Sequence, residues 1–139
     1  MWGSRHKKLA VALTCVDWRL HHRNVRLNAR LAKMLRVHGV DVLTVPGPDG
    51  LLKPERQAEW QIIVAQVKLL IAIHKPVKLV VLGHQRCAGH PVPDWDHDTD
   101  VAKTAKALKA EADFAGPVRA VVAVYRADTS WELKPEADF

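Results

Sequence analysis

Cysteine occurs at two positions only, Cys15 and Cys87, and each follows an apolar run that reads as a buried strand. A histidine precedes the second by three residues, in Leu82-Gly83-His84-Gln85-Arg86-Cys87-Ala88-Gly89, while a carboxylate and a guanidinium follow the first in Cys15-Val16-Asp17-Trp18-Arg19. Two thiolates and one imidazole make a set that zinc accepts in tetrahedral geometry, with a fourth position left for water, substrate or another protein ligand. Zinc held by three protein ligands brings the pKa of a bound water to about 7, so that a hydroxide nucleophile exists at neutral pH. Asp17 is near enough to Cys15 either to take the fourth position or to hydrogen-bond the group there, and Arg19 can hold it off the metal as a bidentate pair. The plainer alternatives are buried structural thiols, a capped core histidine and a surface ion pair. Against them stands the His-x-x-Cys spacing directly after a strand.

The elements that must position these residues follow from periodicity. Residues 9–15 form a continuous apolar run, as expected of a central parallel strand covered on both faces. Within 22–38, Leu27, Leu31, Met34 and Leu35 recur at helical spacing with Gly39 as a stop, and Arg23, Arg26, Arg30 and Lys33 make a solvated face. Residues 40–45 read as a second strand, closed by the turn cluster Pro46-Gly47-Pro48-Asp49-Gly50. Pro54, Glu55 and Glu59 suit the start of a helix running through about residue 73. From Ile62 to Ile71 that helix is apolar almost all round, which calls for deep burial or a second subunit. Residues 77–82 are a third strand, delivering Gly83 and His84 to its carboxyl end.

Asp94-Trp95-Asp96-His97-Asp98-Thr99-Asp100 lacks the central glycine and closing glutamate of a calcium loop, so Asp98 or Thr99 is expected to cap a helix over 100–114. Residues 118–125 are a fourth strand, and 128–139 a carboxyl-terminal tail that packs on the body or on a partner. Strands alternating with helices give an α/β domain of three layers, with a mostly parallel central sheet of four to five strands. A single domain over 1–139, with its core at 9–127, suits 139 residues with 48% apolar content. In such sheets ligands collect beyond the carboxyl ends of the strands, where both cysteine segments fall.

A net charge of +6 without a nucleic-acid-binding motif indicates a solvated basic surface, and no nucleic-acid partner is expected. No apolar run approaches the ~18 residues that span a bilayer, and the charged start lacks a signal-peptide core, so a cytoplasmic protein with no membrane association is expected. His21, His22, His90 and His97 are placed by sequence as acceptors for a proton leaving the metal's water, with solvent exposure as their default. Trp18 is expected as a wall of the pocket.

Cys15-x-Asp17-x-Arg19 followed by His84-x-x-Cys87 resembles the paired signature of the β-class carbonic anhydrases, in the same order and at the same strand ends. The likeness runs from residue 9 to about 125 and, beyond the five signature residues, is topological. It implies Cys15, His84 and Cys87 as ligands of Zn2+, no other cofactor contact, and Asp17 with Arg19 as the catalytic dyad gating the fourth position. The activity it implies is that of a carbonic anhydrase, a zinc lyase: reversible hydration of carbon dioxide to bicarbonate through zinc-bound hydroxide. It also implies a homodimer or higher homo-oligomer.

The chain departs from the family at Ala88, where glycine usually follows the second cysteine, and at Pro46-Gly47-Pro48-Asp49-Gly50, in place of an Arg-Asn-Ala-Gly loop. About eight residues precede the first strand, so the amino-terminal helices that wrap a partner in that family are not expected. Two other functions use the same ligands: a zinc hydrolase acting on carbonyl sulfide or carbon disulfide, and a non-catalytic zinc-binding protein of carbonic-anhydrase-like fold.

Overall fold

The first apolar run folds as β1 (Leu9–Thr14), buried at all six positions as a strand covered on both faces must be. The structure is a computed structural model that describes residues 7–139; most of the charged start lies outside the described residues. Four further strands, β2 (Gly39–Thr44), β3 (Lys78–His84), β4 (Val118–Ala127) and β5 (Ser130–Asp138), complete one sheet in the order β2-β1-β3-β4-β5. β1 pairs in parallel with β2 and β3, β3 pairs in parallel with β4, and β5 is antiparallel to β4. The α/β, mostly parallel sheet is thus present with five strands.

Side-chain alternation divides the sheet between two cores. Val11, Leu13, Leu79, Val81, Val118, Ala120 and Val122 share one core with Trp60, Ile63 and Val67 of α3 (Gln57–His74) and Val101, Ala105 and Leu108 of α4 (Asp96–Glu111). Ala10, Ala12, Val80, Leu82, Val121 and Ala123 point the other way, onto Leu20 of α1 (Trp18–His21) and Leu27, Leu31 and Leu35 of α2 (Leu27–Leu35). These are the two helical layers.

Several boundaries differ from the sequence expectation. The helix expected over 22–38 is only α2, because Arg26 and Arg36 both take the left-handed conformation at its ends and the Val37 N–H turns back to the Ala32 carbonyl at 3.0 Å. Gly39 is therefore not the stop but the first residue of β2. Pro54 opens a single 3-10 turn, Pro54–Arg56, that runs into α3. On α3, Trp60, Ile63 and Val67 are buried while Ile62, Leu69 and Ile73 remain about 60% exposed, so the apolar second half is only partly covered by the sheet. α4 starts at Asp96, and the cap expected from Asp98 or Thr99 is absent; acidic Asp96 and Asp98 instead occupy the first turn, where they complement the helix dipole.

Residues 128–139 were expected as a tail, but Ser130–Asp138 forms β5. Trp131 and Leu133 turn inward onto the core, and Pro135, lacking an N–H, is tolerated because β5 is an edge strand. Among the described residues no helix is long and apolar enough to cross a membrane.

Leu31, fully buried on α2, tests the smaller-helix core. Leu31→Ala should lower the unfolding free energy by about 2–5 kcal/mol in chemical denaturation, whereas Lys68→Ala on the open face of α3 should change it by less than about 0.5 kcal/mol.

Candidate metal centre

The chain leaves β1 for the edge strand β2 and returns on the other side of β1 as β3, so the carboxyl ends of β1 and β3 lie side by side where the connections reverse. That switch point is where an α/β sheet leaves an open crevice. Leu13 of β1 is level with Val81 of β3, so Cys15, just past β1, lies beside the end of β3, whose last residue is His84. Arg86 then takes a left-handed conformation (φ 56°), and Cys87 comes back toward Cys15. One donor atom from each of Cys15, His84 and Cys87 lies within 4.8 Å of the others, and all three residues are buried.

This set fits a tetrahedral metal. The two Sγ atoms are 3.8 Å apart, the span of two Zn–S bonds of about 2.3 Å opened to the tetrahedral angle. His84 Nδ1 lies 2.7 Å from the Gln85 carbonyl, to which it donates, leaving Nε2 as a lone-pair nitrogen that is buried and without a hydrogen-bond partner among the described residues. An imidazole anchored through one nitrogen and free at the other is the arrangement that metal-ligating histidines take.

The electrostatics agree. A hydrogen bond from Cys87 lowers the Cys15 pKa to about 4, with burial opposing and with His84 and the Gly47 N–H, 3.4 Å from Sγ, assisting. The same bond, together with burial, pushes the Cys87 thiol up, because its proton is held against the Cys15 thiolate. Burial opposes charge on His84, but the Cys15 thiolate more than offsets it and raises the imidazole pKa. One proton between two sulfurs beside an imidazole marks a pocket that a dication can occupy in the proton's place.

Asp17 and Arg19 form the expected pair. Arg19 Nη2 donates to Oδ2 at 2.7 Å and Nε to Oδ1 at 3.1 Å, while the Arg19 backbone N–H donates to Oδ1 at 2.9 Å. These bonds, led by the guanidinium, hold the Asp17 carboxyl below the usual carboxylate range against the effect of burial. Its Oδ2 stands 3.8 Å from His84 Nε2, beside the metal set. A cavity of about 440 Å³ lined by Cys15, Asp17, Trp18, Arg19, Pro46 and Gly89 opens over the site. Trp18, 62% exposed, is a wall of it, as the sequence suggested.

Two supports were not anticipated. Trp131 of β5 donates from Nε1 to the Arg19 carbonyl at 3.0 Å and meets the His84 ring edge-on, with centroids 5.4 Å apart. Its signal was the alternation in Trp131-Glu132-Leu133, which marks a strand rather than a tail. The second is the loop after β2. Gly47 sits at φ 51°, and a Cβ there would fall 2.5 Å from the Gly89 carbonyl carbon, so only glycine brings this N–H to Cys15. Arg56 fixes the loop by donating to the carbonyls of Gly47 at 2.8 Å and Pro46 at 2.6 Å.

Of the histidines singled out for proton transfer, His21 binds the Cys15 carbonyl through Nε2 at 2.6 Å and His22 accepts from the Asn24 N–H at 3.1 Å. His90 and His97 are 3% and 0% exposed, so neither has the solvent exposure expected of it.

No curated protein sequence matches the chain significantly. Solved structures share its fold at low identity. The carbonic anhydrase of Streptococcus mutans is 17% identical with a TM-score of 0.53, over 91% of this chain and 81% of its own. A β-carbonic anhydrase of Aspergillus fumigatus is 14% identical with a TM-score of 0.51, over 93% and 75%. A structure from a study of two tetrameric β-carbonic anhydrases of Sordaria macrospora is 13% identical with a TM-score of 0.54, over 96% and 83%. The model of a family described as "Putative carbonic anhydrase" matches residues 5–135. By that match the chain belongs to this carbonic anhydrase family, as a divergent member with the β-carbonic-anhydrase fold.

Proposed function

We propose that this protein is a zinc-dependent carbonic anhydrase that interconverts carbon dioxide and bicarbonate, with Cys15, His84 and Cys87 holding the metal and Asp17 and Arg19 as the catalytic pair. The observation that carries the reading is the buried group of two sulfurs and one imidazole within 4.8 Å, its Nε2 without a hydrogen-bond partner among the described residues and the carboxylate of Asp17 beside it. Bound there, zinc supplies Lewis acidity, making a water acidic enough to act as a nucleophile near neutral pH.

The chain's own residues do the rest. Asp17, kept ionised by Arg19, accepts hydrogen bonds but cannot donate them, so beside the metal that Cys15, His84 and Cys87 would hold it would favour a proton-bearing group over an anion. Arg19 fixes the carboxylate through two of its nitrogens and ties itself to the Arg86 carbonyl at 3.0 Å, so Asp17 neither swings away nor collapses onto the sulfurs. Val16, Pro46 and Ala88 give the cavity an apolar wall suited to a small uncharged substrate. None of His21, His22, His90 and His97 lines the cavity, so proton export falls to solvent and buffer at its mouth.

Homo-oligomerisation belongs to the same reading. Ile62, Leu69 and Ile73 form an exposed apolar stripe on α3, at positions that share one helical face. A cytoplasmic location is proposed on the thiol chemistry alone, since free Cys15 and Cys87 suit a reducing compartment.

Stopped-flow measurement on zinc-loaded protein should show hydration above the buffer rate. Asp17→Asn should keep zinc and lose about 10²-fold or more in kcat/KM, and Cys87→Ser should lose the metal together with the rate. Zinc content with no hydration, but with hydrogen sulfide released from carbonyl sulfide, would replace the substrate assignment. Chelation should abolish the activity and re-addition of zinc restore it. In sedimentation the wild type should run as a multiple of the chain mass, and Leu69→Glu combined with Ile73→Glu should shift it toward the monomer.

A further inference from the structure

A second cluster lies on the other side of the end of β3. Asp49 comes from the loop after β2, His90 from the loop after Cys87, and His97 from the first turn of α4; they are 3%, 3% and 0% exposed. One donor atom from each lies within 4.8 Å of the others, and the two imidazole centroids are 5.5 Å apart. Each ring is anchored by a carboxylate: His97 Nδ1 lies 2.5 Å from Asp49 Oδ2, and His90 Nε2 lies 2.7 Å from Asp100 Oδ2.

These bonds leave three atoms over. Asp49 Oδ1, His90 Nδ1 and His97 Nε2 are all buried and, among the described residues, all without a hydrogen-bond partner. Buried polar groups in a folded protein are almost always hydrogen-bonded, and three left over in one cluster are not what a self-satisfied polar core leaves. His90, tied to Asp100 through Nε2, presents Nδ1 with a carboxylate behind the ring, the arrangement of metal-ligating histidines; at His97 a metal would instead take the proton's place between Nδ1 and the Asp49 carboxylate. The backbone makes room for the cluster: a Cβ at Gly83 would fall 2.9 Å from Asp49 Oδ2, and one at Gly50 would fall 2.5 Å from His90 Nδ1. A cavity of about 330 Å³, lined by Asp49, Gly50, His90, Asp100, Lys103 and Thr104, connects the cluster with solvent.

We propose that Asp49, His90 and His97 form a second divalent-metal site, separate from Cys15, His84 and Cys87, with Asp100 as a positioning residue that orients His90. Two imidazoles and a carboxylate, with no sulfur, suit a borderline first-row dication such as zinc or cobalt(II) rather than a soft monovalent metal. The three protein donors leave further coordination to water or a small ligand entering from the cavity.

Cobalt(II) titration of metal-free protein distinguishes the two sites, because only the sulfur-containing one gives thiolate-to-cobalt charge-transfer absorption. The wild type should bind two cobalt ions per chain by elemental analysis, with the thiolate band saturating after one. His90→Gln combined with His97→Gln should bind one and keep the band; Cys15→Ser combined with Cys87→Ser should bind one and lack it. Asp100→Asn should weaken the non-thiolate site about 10–100-fold. One ion per wild-type chain, or two in the paired histidine variant, would overturn the proposal. Should the histidine variant fail to fold by circular dichroism, the wild-type stoichiometry against the band decides the matter alone. Neither readout depends on carbon dioxide hydration.

Discussion

The parallel pairing of β1 with β3 is the constraint on which the candidate site rests. Its register, with Leu13 level with Val81, brings the residue after one strand and the last residue of the other to the same height. Cys15 and His84 thereby become neighbours although the sequence places β2, α2 and α3 between them. The pairing is stabilised by burial on both faces: alternate residues of β1 and β3 enter two different cores, so a slip of one residue would turn each side chain onto the wrong helical layer.

The same strand end serves two polar clusters. His84, with the parity of Val80 and Leu82, meets Trp131, Cys15 and Cys87; Gly83, with the opposite parity, yields its space to Asp49. Both clusters draw on the loops after β2 and after β3, so Gly47 touches the sulfur set while Asp49, two residues later, belongs to the other. Buried atoms without a hydrogen-bond partner among the described residues appear in both, His84 Nε2 in one and Asp49 Oδ1, His90 Nδ1 and His97 Nε2 in the other. In a closely packed domain such atoms are expected to have partners, and a metal ion is a partner that protein atoms alone do not supply.

β5 links the sheet edge to the Asp17–Arg19 pair. Trp131 holds the Arg19 carbonyl, lies 5.7 Å from the Arg19 guanidinium and packs on His84, so one aromatic side chain restrains Arg19 and His84 together. Arg19 is in turn bound to Asp17 and to the Arg86 carbonyl, which sets the dyad against the loop between His84 and Cys87. The short helix α1 contributes the geometry directly: with Asp17 as its cap, the backbone N–H of Arg19 reaches the carboxylate that its side chain also binds.

Local chemistry was legible in the sequence wherever it depends on spacing along one segment. The apolar runs of β1 and β3, the His-x-x-Cys turn and the Asp17–Arg19 pair all lie within a few residues, and each is found where periodicity and chain reach put it. The parallel α/β class was legible too, because strand-length apolar runs alternate with helical ones. Helix ends were less so: Arg26 and Arg36 adopt left-handed backbone that no residue preference announces, and the expected glycine stop began a strand instead. β5 was missed because its edge position admits polar residues and a proline, which erase the apolar signal of a strand. What the sequence by itself determined is therefore the residue types of the candidate site, the Asp17–Arg19 pair and the alternation of strands and helices up to β4. The meeting of Cys15 with Cys87, the bracing by Trp131 and the burial of Asp49, His90 and His97 as one cluster were decided only by the tertiary structure, because they depend on strand register and on which face of the sheet each loop closes over.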